Sequence, residues 1–534
     1  MMRRLLTISV LAAAQLSAQS PVKPGSPKPT APTPAAPAAP AALIAPCPTN
    51  DTDCVPPAVQ REFRGVWVAT ARNTDWPSKP GLPTAQQQDE LLAIMDRAAK
   101  VGLNAVIFQV RPEGDAFYAD GLEPWSEYLT GKQGRAPEPA WDPLAFAVRE
   151  AHARGMELHA WFNPYRAKEP NMKGPLAKSA FARTHPALVK KYATHLWMDP
   201  GEPAVRKHTL AVVLDVVKRY DIDGVHLDDY FYPYPEKRAN GSTDFPDDAS
   251  WKRYQKKGGE LARDDWRREN VNQLVEELYT GIKKTKSWVK FGISPFGIWR
   301  PGNPESVKGF DSYDKLYADS KKWIENGWGD YFTPQLYWAI DKEGQRYNDL
   351  LGWWQSKNSK ARHLWPGNYT SKVGEGGKNE WKRGEVLAQV AATRATPGVT
   401  GNVHFSIEVF LKNRDSIATA LERTAYSQPA LVPASPWLGG SDLPAPTLTA
   451  KKQKEGGTVL VPTVPKANAK DVRWWLVQQQ IGGQWETLVL DGSLKEIVLA
   501  QLLRNPFVHA EIVAVSAVDR VGKAGPATVV KVAD

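Results

Sequence analysis

The chain has 534 residues, a net charge of +10 and 42% hydrophobic residues, with 21 Trp and 17 Tyr. That length exceeds one ordinary domain, and the apolar content suffices for a large core. Charges of both signs are interspersed without a long basic run, which suits an anionic envelope surface and argues against nucleic acid as a partner.

At the N-terminus, Arg3 and Arg4 precede an apolar run over 5–14 and the small-residue segment Leu16-Ser17-Ala18. This pattern predicts a secretory signal over 1–18, cleaved after Ala18. Losing Arg3 and Arg4 takes the charge from +10 to +8. The apolar run is too short to span a bilayer stably, and no later segment resembles a membrane helix. No cysteine directly follows the run, which argues against a lipid anchor, and twin arginines alone do not specify the export route. The expectation is an exported protein of the periplasm, the cell envelope or the extracellular space. Residues 19–60 read as a Pro/Ala-rich linker. They hold both cysteines of the chain, Cys47 and Cys54, whose proximity in an exported protein predicts a small disulfide loop. No second Cys or His pair accompanies them, so no zinc site is expected. No cofactor fingerprint, P-loop or GxSxG is present.

From 61 to 426, strand-like and helix-like segments alternate. Strands are predicted over 63–70, 104–111, 157–163, 224–230, 290–295, 331–338, 363–369 and 401–407. Helical patterns fall between them, as over 84–100, 143–154, 205–220 and 271–285. Strand followed by helix, repeated about eight times, is the signature of a (β/α)8 TIM barrel. An open doubly wound sheet is disfavoured, because no Gly-rich turn follows the first strand. Residues 427–446 form a second Pro-rich linker. Residues 447–534 carry short alternating runs, such as 458–461, 472–479, 486–490 and 510–518, and predict a small all-β sandwich domain. The stretch from Ser516 to Gly525 loosely resembles the last hairpin of a fibronectin type III-like module.

The strand Asp223-Gly224-Val225-His226-Leu227-Asp228-Asp229-Tyr230 is the most informative segment. Val225 and Leu227 alternate with His226 and Asp228, so one face is apolar and the other carries ionisable groups. The same alternation leaves Gln109 and Arg111, then His159, Trp161 and Asn163, then Thr333, Gln335 and Tyr337, and finally His404 and Ser406 on polar faces. Buried polar groups are costly unless paired. A polar, aromatic-lined cavity at the C-terminal mouth of the barrel, of the kind that holds a carbohydrate, would satisfy all five faces.

Several segments in order carry a resemblance to a known family. They are Arg64-Gly65-Val66-Trp67, Gln109-Val110-Arg111-Pro112, Glu123-Pro124-Trp125-Ser126 with Leu129-Thr130-Gly131, and Ala160 through Arg166. The segment from Asp223 through Tyr232-Pro233, Ser294 through Arg300, and Pro334-Gln335-Leu336-Tyr337-Trp338 complete the set. Over residues 61 to 425 the chain resembles glycosyl-hydrolase-like family 10, a group of exported bacterial barrels. The resemblance implies a glycoside hydrolase acting on envelope glycan, most readily peptidoglycan strands, with a glycan polymer as partner and oligomeric state open.

Glycoside hydrolysis commonly needs two carboxyl groups. Asp228, inward at a strand's C-terminal end, is the first candidate. No carboxylate ends the fifth strand. Glu123 is the expected partner, with partial burial behind Trp125 raising its pKa as a general acid requires. Asp229 is a further candidate, expected to point away from Asp228 unless the strand ends before it. Glu113 and Glu408 are weaker ones. Arg111, Asn163, Tyr165, Arg166, His226, Tyr230, Gln335, Tyr337, Trp338 and Trp125 are expected to contact sugar. The alternatives are a non-catalytic carbohydrate-binding barrel and a metal-dependent polysaccharide deacetylase using His159, His226 and Asp228.

Overall fold

Parallel strands and helices alternate from Phe63 to Arg423. In chain order they are β1 (Phe63–Val68), α1 (Thr84–Val101), β2 (Ala105–Arg111), α2 (Pro143–Ala153), β3 (Glu157–Phe162), α3 (Pro203–Arg219), β4 (Gly224–Leu227) and α4 (Arg263–Thr285). Then come β5 (Lys290–Ile293), α5 (Ser320–Asn326), β6 (Tyr331–Phe332), α6 (Tyr347–Lys357), β7 (His363–Leu364 and Gly367–Asn368), α7 (Arg383–Ala395), β8 (Gly401–His404) and α8 (Ile417–Arg423). This computed structural model describes residues 43–48, 50–238, 241–242, 244–452, 458–499 and 509–533. The predicted signal 1–18 and most of the 19–60 linker lie outside the described residues. No helix among the described residues is long and apolar enough to cross a membrane.

Nine hydrogen-bonded segments make one parallel sheet. Two of them are the halves of β7, so the sheet has eight positions. His363–Leu364 pairs with β6, and Gly367–Asn368 pairs with β8. Trp365 and Pro366 between the halves keep the ladder, donating to Phe332 O at 2.9 Å and accepting from Val403 N at 3.0 Å. β8 in turn pairs with β1, which closes the barrel. Local sequence explains the helices around it. In α1, Leu91, Ile94, Met95, Ala98 and Val101 share a buried face, and Gly102 at φ 86° ends the helix in the left-handed region. α2 starts where Asp142 accepts from Ala145 N and Pro143 takes the first helical position.

Each barrel strand is buried on both faces. Val66, Val106, Phe108, Leu158, Val225 and Leu227 pack toward the helices. The alternate residues Phe63, Trp67, Ile107, Trp161, Tyr331, Trp365 and Val403 pack in the barrel interior. A hydrogen-bonded column joins the polar interior groups. Lys290 Nζ lies 2.7 Å from Glu157, and His159 Nε2 3.0 Å from the same carboxylate. His159 Nδ1 and His226 Nδ1 meet the Tyr331 hydroxyl at 2.8 and 3.0 Å. Trp67 Nε1 donates to His226 Nε2 at 3.1 Å. Two glycines make room for these side chains. A Cβ on Gly224 would stand 2.4 Å from His159, and one on Gly292 would stand 1.9 Å from the Tyr331 ring.

Two expected inward faces are corrected. The β2 register against β3 shifts between Gln109 and Arg111, so Arg111 aligns with the outward Phe162 and leaves the cavity. In β8, Val403 and not His404 faces inward. His404 bonds Thr370 Oγ1 at 2.8 Å and the Tyr426 hydroxyl at 2.9 Å on the outer side.

The residues after the barrel form antiparallel sheets. The first contains β9 (Thr447–Lys452), β10 (Thr458–Thr463) and β13 (Ile497–Val498); the second contains β11 (Val472–Ile481), β12 (Gln484–Asp491), β14 (Ile512–Asp519) and β15 (Thr528–Val532). Ile44–Pro46 adds to β15 at the edge of the second sheet, next to the Cys47–Cys54 disulfide. Leu460 and Ile497 from one sheet and Trp475, Val477, Val513 and Val515 from the other share a core. The 427–446 stretch expected as a linker is fixed to the barrel: Leu431 is buried, His363 bonds Ser435 Oγ at 3.0 Å, and Trp437 Nε1 donates to Asp330 at 2.9 Å.

A buried ion cluster ties these sheets to the barrel. Arg473 on β11 donates to both oxygens of Asp223, just before β4, at 2.9 and 3.3 Å. His152 Nε2 and Leu158 N bond the same carboxylate at 2.9 and 2.8 Å. Burial raises the Asp223 pKa, but Arg473 and His152 outweigh it and hold the group well below the carboxylate range. Removing one partner of a buried pair leaves an uncompensated charge. Arg473→Ala is therefore expected to lower the unfolding free energy by about 3–5 kcal/mol at pH 7 in urea titration. Because the folded-state pKa is depressed, this stabilisation is present above the unfolded value of about 3.9 and is lost as pH falls toward the folded one. The gap between wild type and variant should close on acidification; a gap under about 0.5 kcal/mol at pH 7 would match an ordinary surface change and contradict the clamp.

Candidate active site

β4 ends at Leu227, and that early end sets the direction of the two residues after it. Asp228 continues the inward alternation of His226. Asp229, no longer bound by the strand's parity, turns toward the same cavity. Both line a cleft of about 420 Å³ at the C-terminal mouth of the barrel, where loops after the strands build the sites of this architecture. Each residue is 4% exposed. Asp229 thus follows the exception allowed for it, an inward turn where the strand ends.

Asp228 is held by donors. Trp161 Nε1 donates at 3.1 Å, and Asn163 Nδ2 reaches both carboxylate oxygens at 3.2 and 3.3 Å. Asn163 is itself oriented, because its Oδ1 accepts from Arg166 N at 2.8 Å and Tyr165 N at 3.3 Å. Tyr230 N adds a bond to Asp228 at 3.3 Å. Burial pushes the Asp228 carboxyl up to about 6, against the pull of Arg166, and the neighbouring Asp229 adds to the rise. Asp229 accepts from the Tyr234 hydroxyl. Its pKa is also raised by burial, with Tyr234 and Gln335 opposing. Neither carboxylate has an ion-pair partner within 4 Å among the described residues.

His226 forms the floor. Its Nε2 accepts from Trp67 and its Nδ1 serves Tyr331. Burial, reinforced by His159, holds it well below its ordinary pKa, so it is a neutral, saturated group. Gln335 donates to Ser294 O at 3.1 Å and lines the wall with Tyr337. Tyr337, Tyr369 and Phe405 form an aromatic group with ring centroids 5.1 to 6.3 Å apart. Trp67 joins it at 6.0 Å from Phe405. Arg166 lies over the Tyr230 ring at 4.4 Å and pairs with Glu169 at 2.8 Å.

Other expected site residues are elsewhere. Glu123 lies in a buried ion pair: Arg111 contacts both its oxygens at 2.6 Å, and His208 Nε2 lies at 2.8 Å. Burial raises its pKa, yet Arg111 and His208 outweigh that and leave it lowered, the reverse of what a proton donor needs. Arg111 also donates to the Asn163 backbone carbonyl, so it supports the cleft from behind. Trp125 is half-buried against the barrel core, and Tyr165 is fully buried there. Trp338 packs edge-on against Phe296 outside the cleft lining. Glu113 bonds the buried Tyr128 hydroxyl at 2.8 Å, and Glu408 pairs with Arg414 at 3.0 Å. The histidines of the deacetylase alternative do not converge on an open position. Both ring nitrogens of His159 are used by Tyr331 and Glu157, and those of His226 by Trp67 and Tyr331.

Sequence reasoning missed Glu169, Arg72, Tyr234, Phe405 and Trp67 as lining residues. Trp67 and Phe405 were reachable, since strand parity sets them inward. Glu169, Arg72 and Tyr234 sit in irregular loops, where no periodicity reports direction. A second cavity, of about 680 Å³, lies past the loop after β4 and includes Tyr232, Pro233, Pro235 and Phe310 in its lining. Tyr234 of the cleft stacks on Phe310 of this second cavity at 5.4 Å.

Glu123→Gln is expected to cost about 3–5 kcal/mol in urea titration, because it strands the fully buried Arg111. Carbon NMR of that variant should still find the Asp228 carboxyl titrating at about 6. Unchanged stability would return Glu123 to the candidate donors.

The chain matches one family profile and several known proteins. The sequence profile of Glycosyl hydrolase-like 10 matches residues 62–383. The chain is 40% identical over 439 residues to glycosyl hydrolase YngK of Bacillus subtilis (strain 168), covering 80% of this chain and 85% of that protein. It is 36% identical over 385 residues to glycosyl hydrolase DigH of Escherichia coli (strain K12), covering 66% of this chain and 85% of that protein. The glycoside hydrolase domain of PgaB (BpsB) from Bordetella bronchiseptica aligns over 68% of this chain and 98% of that one, at 11% identity and a TM-score of 0.45. The chain belongs to the glycosyl hydrolase-like 10 family.

Proposed function

We propose that the chain is an exported glycoside hydrolase that cleaves glycosidic bonds in bacterial envelope glycan, peptidoglycan strands foremost. The observation that carries this reading is the pair of buried carboxyls, Asp228 and Asp229, with raised pKa values and no ion-pair partner at the mouth of the barrel. Two such groups are what acid-assisted glycoside cleavage uses. Asp229, bonded to a hydroxyl rather than a cation, is the proton donor to the leaving oxygen. Asp228, with donors on both oxygens, is the carboxylate that stabilises positive charge at the anomeric centre. Asp229 thus takes the role expected of Glu123.

The walls support a sugar as ligand. Trp67, Tyr337, Tyr369 and Phe405 offer flat apolar faces, and Gln335, Tyr230 and Arg166 offer hydroxyl and amide partners. The adjoining cavity of about 680 Å³ gives a polymer room beyond the cleaved bond, in keeping with an endo-acting enzyme. Export rests on the N-terminal pattern over 1–18 and on the Cys47–Cys54 disulfide, which suits an oxidising compartment. The fibronectin type III-like reading of 447–534 is retained for its antiparallel sheets, and we assign this module a supporting role through Arg473 and Asp223.

Asp228→Asn keeps the side-chain shape and its Trp161 contact while removing the charge. It is expected to reduce release of reducing ends from purified peptidoglycan strands by at least about 100-fold, with the circular dichroism spectrum unchanged. Full activity in that variant would overturn the site. Strand binding without any release by the wild type would favour the carbohydrate-binding barrel.

A further inference from the structure

Breaking a bond at the anomeric carbon needs a group that attacks that carbon from the face away from the leaving oxygen. In most glycosidases a second carboxylate, or a water it activates, fills this role. Among the carboxyls that line the cleft, the two without ion-pair partners are consecutive residues, and consecutive Cα atoms are about 3.8 Å apart. Both therefore enter the cleft from the same edge of the barrel. The position across an eight-place barrel from β4 is β8, and the residue after β8 that enters the cleft is Phe405. Its neighbours there are Tyr369 and Trp67. The other carboxylate lining the cleft among the described residues, Glu169, is engaged by Arg72 at 2.5 Å and Arg166 at 2.8 Å. The far wall is apolar and aromatic where a carboxylate nucleophile would stand.

We propose that the substrate brings its own nucleophile: the cleaved sugar carries a 2-acetamido group, its carbonyl oxygen attacks the anomeric carbon, and Asp228 and Asp229 divide the proton work. This deepens the glycoside hydrolase reading and rests on it. In the first step the bond from the acetamido oxygen to C1 forms as the bond from C1 to the leaving oxygen breaks. Asp229 gives its proton to that oxygen. Asp228 accepts the acetamido N–H as positive charge grows on nitrogen, which leaves a neutral oxazoline. In the second step water attacks C1 and gives its proton to Asp229. The bond from C1 to the oxazoline oxygen then breaks, and Asp228 returns the proton to nitrogen. One water is consumed, the acetamido group is restored, and the anomeric configuration is retained.

The local geometry fits this division. Trp161 and Asn163 fix both oxygens of Asp228 as acceptors, ready for one more donor. Asp229 is bonded to a phenol, not to a cation. The aromatic group of Tyr337, Tyr369 and Phe405 suits the acetamido methyl.

The test compares two substrates with the full chain: peptide-free peptidoglycan strands, and the same strands after chemical de-N-acetylation. The proposal expects cleavage of the first, cleavage of the second slower by at least about 100-fold, and retention of configuration in the first-formed product by NMR. A thiazoline analogue of N-acetylglucosamine should inhibit competitively, and no glycosyl adduct should appear on the protein by mass spectrometry. Similar rates on both substrates, an inverted product or a trapped glycosyl adduct would overturn the proposal while leaving the hydrolase reading intact. Failure to cleave either substrate would overturn both.

Discussion

Burying polar groups along the axis of the barrel is the constraint on which the structure turns. Such groups are costly unless each finds a partner. Toward the N-terminal end of the strands the demand is met fully, with Lys290 against Glu157 and Glu157 against His159. In the middle, Tyr331 joins His159 to His226, and Trp67 closes the last open nitrogen of His226. At the mouth, Asp228 and Asp229 line the cleft without ion-pair partners among the described residues. The satisfied column below them fixes the floor, so the two carboxyls are presented on rigid elements, as a functional site requires.

β4 states the same point in one strand. Asp223 precedes it and Asp228 comes after it. They are the same residue type, both buried, yet their environments drive them apart. Asp223 meets Arg473 and His152 and is held well below the usual range. Asp228 meets neutral donors and is pushed up to about 6. One carboxylate fastens the C-terminal sheets to the barrel, and the other is poised to exchange a proton near neutral pH. Glu123 repeats the Asp223 pattern with Arg111, which makes it a structural anion despite its place in a loop near the mouth.

The barrel was legible in the sequence because each strand is short, buried on both faces and followed by an amphipathic helix. The inward direction of His226 and Asp228 was legible for the same reason, since strand parity carries direction; Gln335 and Tyr337 line the cleft from beyond the end of β6 at Phe332. Parity failed where backbone geometry departs from a plain strand. The bulge between Gln109 and Arg111 turned Arg111 outward. The end of β4 at Leu227 freed Asp229 to turn inward. On β8, parity alone did not say which set faces in: Val403 packs in the interior, and the polar His404 finds its partners among the helices. Glu123 was misjudged because its partner, Arg111, had been assigned to the cavity. Loop residues such as Glu169 and Tyr234 carried no periodic signal at all.

The account stands on Asp228 and Asp229 working as one pair, active when a single proton is shared between roles. The pH dependence of kcat/KM for glycan-strand cleavage tests this most directly. The account predicts a bell whose two limbs belong to the pair, one of them at a pH of about 6, where Asp228 titrates. A rate that stays flat through pH 6 would contradict the assignment.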